Sequence, residues 1–362
     1  MATVLVAGGG TGGHVFPGVA IARELLERTS CREVVFAGTS RGLESKIVPA
    51  EGFRLLTIRS AGIAGKSLTA RLKGMSILPL SLWQSLAVIG KVRPKLVIGV
   101  GGYASGPLLV AALLRRVPAL IHEQNFLPGT TNRWLAPYVS QVAITFPETA
   151  RVLGGRGVVT GNPVRKEFTL VKPRPAGLAA RSLLVFGGSQ GSRAINRAMR
   201  EALPELRQGA VPVKVRHQTG DADLEAVSSA YRAAGLDADV RAFISGMSQA
   251  FEEADLIVCR SGATTVAELT AAGRPAVLIP FAGATHDHQT YNARKLEDAG
   301  AAEVIPEREL GGARLAATVT GLLESPDRLA RMSQASRALG KPDAAARIAD
   351  LCVDLMAGGR TS

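Results

Sequence analysis

A chain of 362 residues exceeds the size at which a single hydrophobic core keeps growing, so two domains are expected. Hydrophobic residues make up 46% of it and aromatics only 4%, which argues against an aromatic-rich β-sandwich and for small-residue helices packed on parallel sheets. The net charge of +13 favours a polyanionic partner, but the arginines are dispersed, with no basic block, RNA-binding aromatic strand or zinc-finger spacing; phosphorylated substrates or an anionic membrane surface fit better than nucleic acid.

The first ten residues, MATVLVAGGG, enter a strand at once without the basic n-region of a signal peptide, so none is expected. The strand TVLVA runs into GGGTGGHVFPG, where Gly8, Gly10 and Gly13 satisfy GxGxxG. Such a glycine run costs backbone entropy, and the expected compensation is a ligand close to the main chain. Read as a dinucleotide fingerprint, it requires an acidic residue closing the second strand. The sequence there is VVFAGTSRG, with no acid before Glu44, so NAD is disfavoured, although Thr39, Ser40 and Arg41 still suit a 2′-phosphate.

Further along, EVVFAG, FRLLTI, KLVIGV, PALIH and QVAIT read as buried strands between helix-length segments, as in a doubly wound parallel sheet. The uncharged run from Gly74 to Gly90 is too short to span a membrane and contains Pro79 and Gln84. A second glycine turn, GVGGYASGP, follows KLVI.

After Gly161-Asn162-Pro163 a polar, proline-containing passage reads as a linker. The plan then restarts with RSLLVFGGSQGSRAIN, followed by VPVKVRH, ADVRAF, DLIVC, PAVLIP and AAEVI. Two similar Rossmann-like domains are therefore expected, 1–163 and 164–342, with ligands at the carboxyl ends of their strands and the active site in the cleft between them. The segment Asp343–Met356 reads as an amphipathic helix, and whether the end of the chain, about 343–362, packs back on the first domain is left open.

Three glycine turns with adjoining hydroxyls favour a phosphate ligand, because a helix N-terminus beneath such a turn offers unpaired N–H groups and positive partial charge. A fourth strand-to-helix segment, Cys259–Glu268, offers an acceptor for ribose hydroxyls; as a capping glutamate, Glu268 would be purely structural. Cys31, Cys259 and Cys352 lie far apart, which suggests neither disulfides nor a thiolate site and fits a reducing cytoplasm. Of two acidic DxD matches, Asp221–Asp223 is expected to cap a helix and Asp237–Asp239 to lie in a polar turn. His286 and His288, two residues apart, do not share a helical face, and no metal or other cofactor is expected.

Together, GGGTGGHVFPG, GVGGYASGP, HEQNFLPG, GNPVR, GGSQGSRAIN, RSGATTVAEL and HDHQTYNA, in this order over nearly the whole chain, resemble the MurG family. The resemblance implies a GT-B fold and an inverting transfer of N-acetylglucosamine from UDP-GlcNAc to the 4-hydroxyl of lipid I, giving lipid II for peptidoglycan synthesis. It implies a peripheral enzyme on the cytoplasmic face of the bacterial inner membrane, with cell shape, cell division and other cell-wall synthesis proteins as its context. Carried onto this sequence, the donor contacts are Thr11, Gly12, Gly13, Asn125, Arg165, Ser189, Ile244, the turn Ala263, Thr264, Thr265, Val266, Ala267 and Glu268, and Gln289. Ile244 would meet the uracil through its main chain, Glu268 the ribose, Ser189 the diphosphate and Gln289 the sugar.

Inverting transfer needs a base for the acceptor hydroxyl and stabilisation of the departing UDP. His14 is the leading base and Glu123 the reserve; the bland reading of His14 is a residue that orients the acceptor or caps the turn. The lipid-linked acceptor requires work at a bilayer, for which Ile77, Leu78, Leu80, Leu82 and Trp83, with Lys66, Arg71 and Lys73 upstream, form a candidate docking patch. An ordinary core-facing helix accounts for the same residues. An NADP-dependent oxidoreductase, a UDP-sugar epimerase of the same fold and a nucleotide-sugar sensor are the alternative functions, and fold by itself does not separate them.

Overall fold

The computed structural model describes residues 2–28, 30–60, 68–174, 180–284 and 287–358, and only the backbone for 68–75. The chain divides into two compact units, Met1–Arg165 together with Lys341–Ser362, and Lys166–Gly340.

The first unit holds strands β1 (Ala2–Gly8), β2 (Cys31–Gly38), β3 (Arg54–Thr57), β4 (Leu96–Gly101), β5 (Ala119–Glu123), β6 (Gln141–Ile144) and β7 (Val158–Val159), in the order β3-β2-β1-β4-β5-β6-β7. Neighbours pair in parallel. Because side chains alternate along a strand, β1 supplies two cores at once. Val4 and Val6 pack with Val15, Val19 and Ile21 of the helix Gly12–Leu26, while Leu5 and Ala7 pack with Leu108 and Leu109 of the helix Ser105–Leu114. Ile348, Ala349, Cys352 and Leu355 of the C-terminal helix Ala344–Met356 enter the same core as Val4 and Val6, so this helix packs on the first unit.

The second unit holds β8 (Arg181–Phe186), β9 (Val213–Gln218), β10 (Ala238–Arg241), β11 (Leu256–Cys259), β12 (Ala276–Leu278) and β13 (Ala302–Val304), in the order β10-β9-β8-β11-β12-β13, again all parallel. Leu183 and Val185 of β8 pack with Ile195, Met199 and Leu203 of the helix Arg193–Gln208.

In each sheet the strand order reverses once, between β1 and β4 and between β8 and β11. A crevice outside the strand ends at such a reversal is where open α/β sheets bind ligands. All four glycine-containing turns singled out from the sequence leave β1, β4, β8 and β11 at these points.

Of the two DxD segments, Asp221–Asp223 opens a helix as expected and Asp237–Asp239 departs from expectation. Ala238 and Asp239 open the edge strand β10 instead of a turn, and Asp239 meets Arg216 (3.2 Å), its register partner on β9, and Arg241 (2.8 Å). Asp223 occupies the cap position of the helix Leu224–Ala234 but makes no side-chain cap bond; its carboxylate accepts from the Asn196 amide at 2.8 Å.

Candidate active site

In the first loop the glycines answer to the protein's own groups. Gly9 and Gly10 have φ of +151° and +93°, and a Cβ on Gly9 would overlap the carboxylate of Glu44, as would one on Gly42. Glu44 is 1% exposed and accepts from the Gly10 N–H (2.6 Å), the Thr39 N–H (2.8 Å) and the Thr39 hydroxyl (2.7 Å). Burial pushes its carboxyl up, but these bonds outweigh burial and hold it below the ordinary carboxylate value. The amide of the second fingerprint glycine is thus bonded to an internal carboxylate, and Glu44, the first acid after the second strand, faces inward.

The second loop closes on the first. A Cβ on Gly102 (φ +80°) would overlap the Gly9 carbonyl, and the Gly9 N–H donates to the Gly101 carbonyl at 3.3 Å. A ligand is therefore not what Gly9, Gly101 and Gly102 accommodate, contrary to the expectation from the glycine run.

His14 is the third residue of the helix Gly12–Leu26, whose cap residue Thr11 is extended (φ −122°, ψ 159°) and makes no side-chain cap bond. The His14 ring is half-buried and rests on Gly101. Behind it, at the end of β5, His122 is fully buried. Its Nε2 meets the Gly161 carbonyl at 3.3 Å and its Nδ1 the Gln124 Nε2 at 3.2 Å, which assigns the proton to Nε2. Burial first, and the neighbouring His14 to a lesser extent, lower the His122 pKa against the raising effect of the Gly161 carbonyl, to about 4. The Arg165 guanidinium lies over the Phe16 ring, 4.9 Å from its centroid. Thr11, Gly12, Gly13, His14 and Arg165 thus meet around one helix N-terminus.

Glu123, the reserve base, is 1% exposed and its oxygens are occupied. Oε1 accepts from the Asn125 N–H (3.0 Å) and side-chain amide (3.3 Å), and Oε2 from the Gly129 N–H (3.0 Å) and the Asn132 amide (2.8 Å). This geometry suits a carboxylate that builds the loop carrying Asn125, not one that collects a proton.

In the second unit, Gly191 (φ +74°) leaves no room for a Cβ against the Thr219 carbonyl, while Ser189 at the loop tip is exposed. Ser192 caps the helix Arg193–Gln208 and accepts from Arg260 Nη2 at 2.8 Å. Arg260 also donates to Glu307 Oε2 (2.8 Å) and the Ile279 carbonyl (3.1 Å) and lies over the Phe281 ring. In the sequence the one signal for this arginine is its place directly after β11, at the strand-order reversal.

Gln218, at the end of β9, donates to the Gly188 carbonyl (2.8 Å) and accepts from the Ile244 N–H (2.8 Å), so it ties the diphosphate candidate loop to the candidate uracil contact. The N–H of Ile244 is therefore spent inside the protein. Gly262 precedes the helix Ala263–Ala272, on which Ala263, Thr264, Thr265 and Ala267 are half-buried and Val266 and Glu268 buried. Burial raises the Cys259 thiol pKa and the nearby Glu268 charge raises it further. The Gln289 side chain accepts from the Phe281 N–H at 3.1 Å, and its carbonyl from the Ser261 hydroxyl at 2.8 Å.

Below this loop His217 is held between Tyr231 (3.2 Å) and Asn196 (3.1 Å), with burial lowering its pKa to about 3. It is a neutral core histidine.

The membrane candidates divide. On the helix Leu68–Val92, Leu78, Leu80 and Trp83 are exposed (40%, 36% and 67%), Ile77 is half-buried, and Leu82 packs against the core. Lys66 and the side chains of Arg71 and Lys73 lie outside the described residues, as does His286. Among the described residues no helix is long and apolar enough to cross a membrane, and no three His, Cys, Asp or Glu side chains gather as a metal site requires.

Known proteins match this arrangement along the whole chain. Residues 4–144 match the glycosyltransferase family 28 N-terminal domain and residues 182–348 its C-terminal domain. A relative in Anaeromyxobacter sp. (strain Fw109-5), the UDP-N-acetylglucosamine--N-acetylmuramyl-(pentapeptide) pyrophosphoryl-undecaprenol N-acetylglucosamine transferase, is 48% identical over 98% of this chain and 93% of its own. The crystal structure of Acinetobacter baumannii MurG superposes with a TM-score of 0.80 at 32% identity, covering 97% of this chain and 99% of that one. A UDP-GlcNAc 2-epimerase from Neisseria meningitidis reaches a TM-score of 0.70 over 97% of this chain and 100% of its own, but at 12% identity it shares the fold alone. The two doubly wound parallel sheets are those of the GT-B fold. The chain belongs to the MurG family of N-acetylglucosaminyltransferases, within glycosyltransferase family 28.

Proposed function

We propose that this chain transfers N-acetylglucosamine from UDP-GlcNAc to the 4-hydroxyl of the N-acetylmuramoyl sugar of lipid I, with inversion, giving lipid II and UDP. The observation that carries the reading is 48% identity, over nearly the full length of both chains, with a relative named for this transfer. That identity favours a transferase over the epimerase, and the internal bonding of the Gly10 amide disfavours the NADP reading.

The second unit takes the donor. The carbonyl of Ile244 meets the uracil, because its N–H already serves Gln218. Glu268 accepts from the ribose hydroxyls, Ser189 and the N–H groups at the start of the helix Ala263–Ala272 receive the diphosphate, and Gln289 meets the sugar. Arg165, Thr11, Gly12, Gly13 and Asn125 complete the donor contacts. The acceptor binds at the first unit, where His14 takes the proton of the attacking hydroxyl as the bond to the departing UDP breaks. Charge growing on the diphosphate is met by the helix N-terminus and Arg165, with no cofactor.

Leu78, Leu80 and Trp83 enter the interface of an anionic bilayer, which keeps the enzyme peripheral on the cytoplasmic face of the inner membrane. There its product supplies peptidoglycan synthesis, and through it cell shape and division, alongside other cell-wall synthesis proteins.

The test is lipid-linked disaccharide and UDP formed from UDP-GlcNAc and a lipid I analogue, with and without a chelator. Product that persists in chelator supports the reading. No product and no acceptor-dependent UDP release from folded protein overturns it, and a sugar isomer formed without acceptor points to the epimerase.

A further inference from the structure

Glu44 is a buried carboxylate that neither the family's donor contacts nor the proposed chemistry uses, yet it sits beneath the loop that carries the proposed base. Three hydrogen bonds from Gly10 and Thr39 divide unevenly between its oxygens. Oε1 takes both Thr39 donors, while Oε2 takes the Gly10 N–H, 34 residues away in sequence, at 2.6 Å. Gly9, Gly38 and Gly42 all leave space that only an absent Cβ allows; on Gly38 a Cβ would come to 2.7 Å from the Glu44 Cγ. Such a concavity, glycine-walled and lined with N–H groups at the end of a strand, is the kind of place that binds an anion in other folds. Here the chain fills it with its own.

We propose that Glu44 is a positioning residue for the transfer, a built-in anion that occupies the hole of the first glycine loop and, through the Gly10 amide, sets the Thr11–Gly13 turn and the ring of His14 against the acceptor. The connection is short. Gly10 is followed by Thr11, whose carbonyl accepts from the N–H groups of His14 (3.2 Å) and Val15 (3.2 Å) at the first turn of the helix. The Gly10 carbonyl accepts from the Leu43 N–H (3.4 Å), so the loop is gripped from both sides by the segment bearing Glu44. The inference rests on the proposed function only for the role of His14; the filled anion hole stands on geometry alone.

Two variants of the full chain test it. Glu44→Gln can keep an oxygen for Thr39 but turns an NH2 group toward the Gly10 N–H, donor against donor. Glu44→Ala removes a methylene and the carboxylate, the heavy atoms of one acetate ion. The expected result is a loss of about a hundredfold in kcat for both, the scale of a small misplacement of a reacting group, with a smaller rise in the KM for UDP-GlcNAc because the Thr11–Gly13 turn also contributes donor contacts. Added acetate restores part of kcat in Glu44→Ala and leaves wild type unaffected, whereas acetamide does not restore it.

The second readout needs no substrate: acetate raises the thermal midpoint of Glu44→Ala and not of wild type. Wild-type kcat in Glu44→Ala, or acetate without effect on both readouts, overturns the proposal. If wild type itself makes no product, the proposed function fails, and the thermal readout still decides whether the hole binds a carboxylate.

Discussion

The imidazole of His14 lies on the bare face of Gly101, where a Cβ would stand 2.7 Å from Nδ1. Gly101 also has φ of +92°, which an L side chain adopts only under strain. Gly101→Ala therefore moves the ring of the proposed base. The expected outcome is a fall of about a hundredfold in kcat, with UDP affinity retained because the diphosphate and uracil contacts are on other loops. Steady-state kinetics with UDP binding by calorimetry measures both; equal losses in the two contradict the assignment.

The two buried histidines make stability depend on pH in a defined direction. Each is neutral when folded, with values of about 4 for His122 and about 3 for His217 against 6.5 when unfolded. Between those limits the unfolded chain binds more protons, so stability is full above pH 6.5 and falls as pH drops through the window. The expected loss is on the order of a few kcal/mol by pH 4. Glu44, with its lowered value, adds a loss only at more acid pH, below the unfolded carboxyl value. Urea midpoints from pH 7 to 5 test the histidines alone, and His217→Gln flattens the slope; an unchanged slope in that variant rules out His217 as a source.

Glu123 distinguishes a loop builder from a base. Removing a carboxylate that serves four N–H groups in Glu123→Ala is expected to cost about 2–4 kcal/mol, seen as a drop of several degrees in thermal midpoint, together with lost activity as Asn125 shifts. Activity lost at unchanged stability and unchanged KM would return Glu123 to the role of base.

Trp83, the most exposed of the membrane candidates whose side chains are described, is expected to contribute apolar contact with lipid. Trp83→Ser is expected to weaken co-sedimentation with anionic vesicles by about tenfold, since the loss of roughly 1.4 kcal/mol of apolar insertion is well within the worth of one indole. Leu82→Ser faces the core and lowers stability instead. Equal vesicle binding by wild type and Trp83→Ser removes the patch from the account.

Strands were legible because parallel sheets bury both faces and so read as continuous apolar runs; the two-residue β7, Val158–Val159, is too short to leave such a run. Asp239 misled for a related reason. An edge strand tolerates a charge when a partner stands opposite, and Arg216 stands there through the sheet register, not through local spacing. The role of Glu44 was hidden by distance along the chain: the sequence marks it only as the wrong acid for a ribose, while its amide partner is Gly10. Glu123 was ambiguous until Asn125, Gly129 and Asn132 were seen to converge on it. The split between Leu82 and Trp83 is invisible to composition, since adjacent apolar residues on a helix face opposite environments.

The most direct test of the account is turnover by His14→Ala with UDP-GlcNAc and a lipid I analogue, measured beside wild type with UDP affinity as the internal control. The account predicts wild-type UDP affinity and a loss of about 10²–10⁴ in kcat, the usual worth of a general base. Turnover at the wild-type rate in His14→Ala would contradict it.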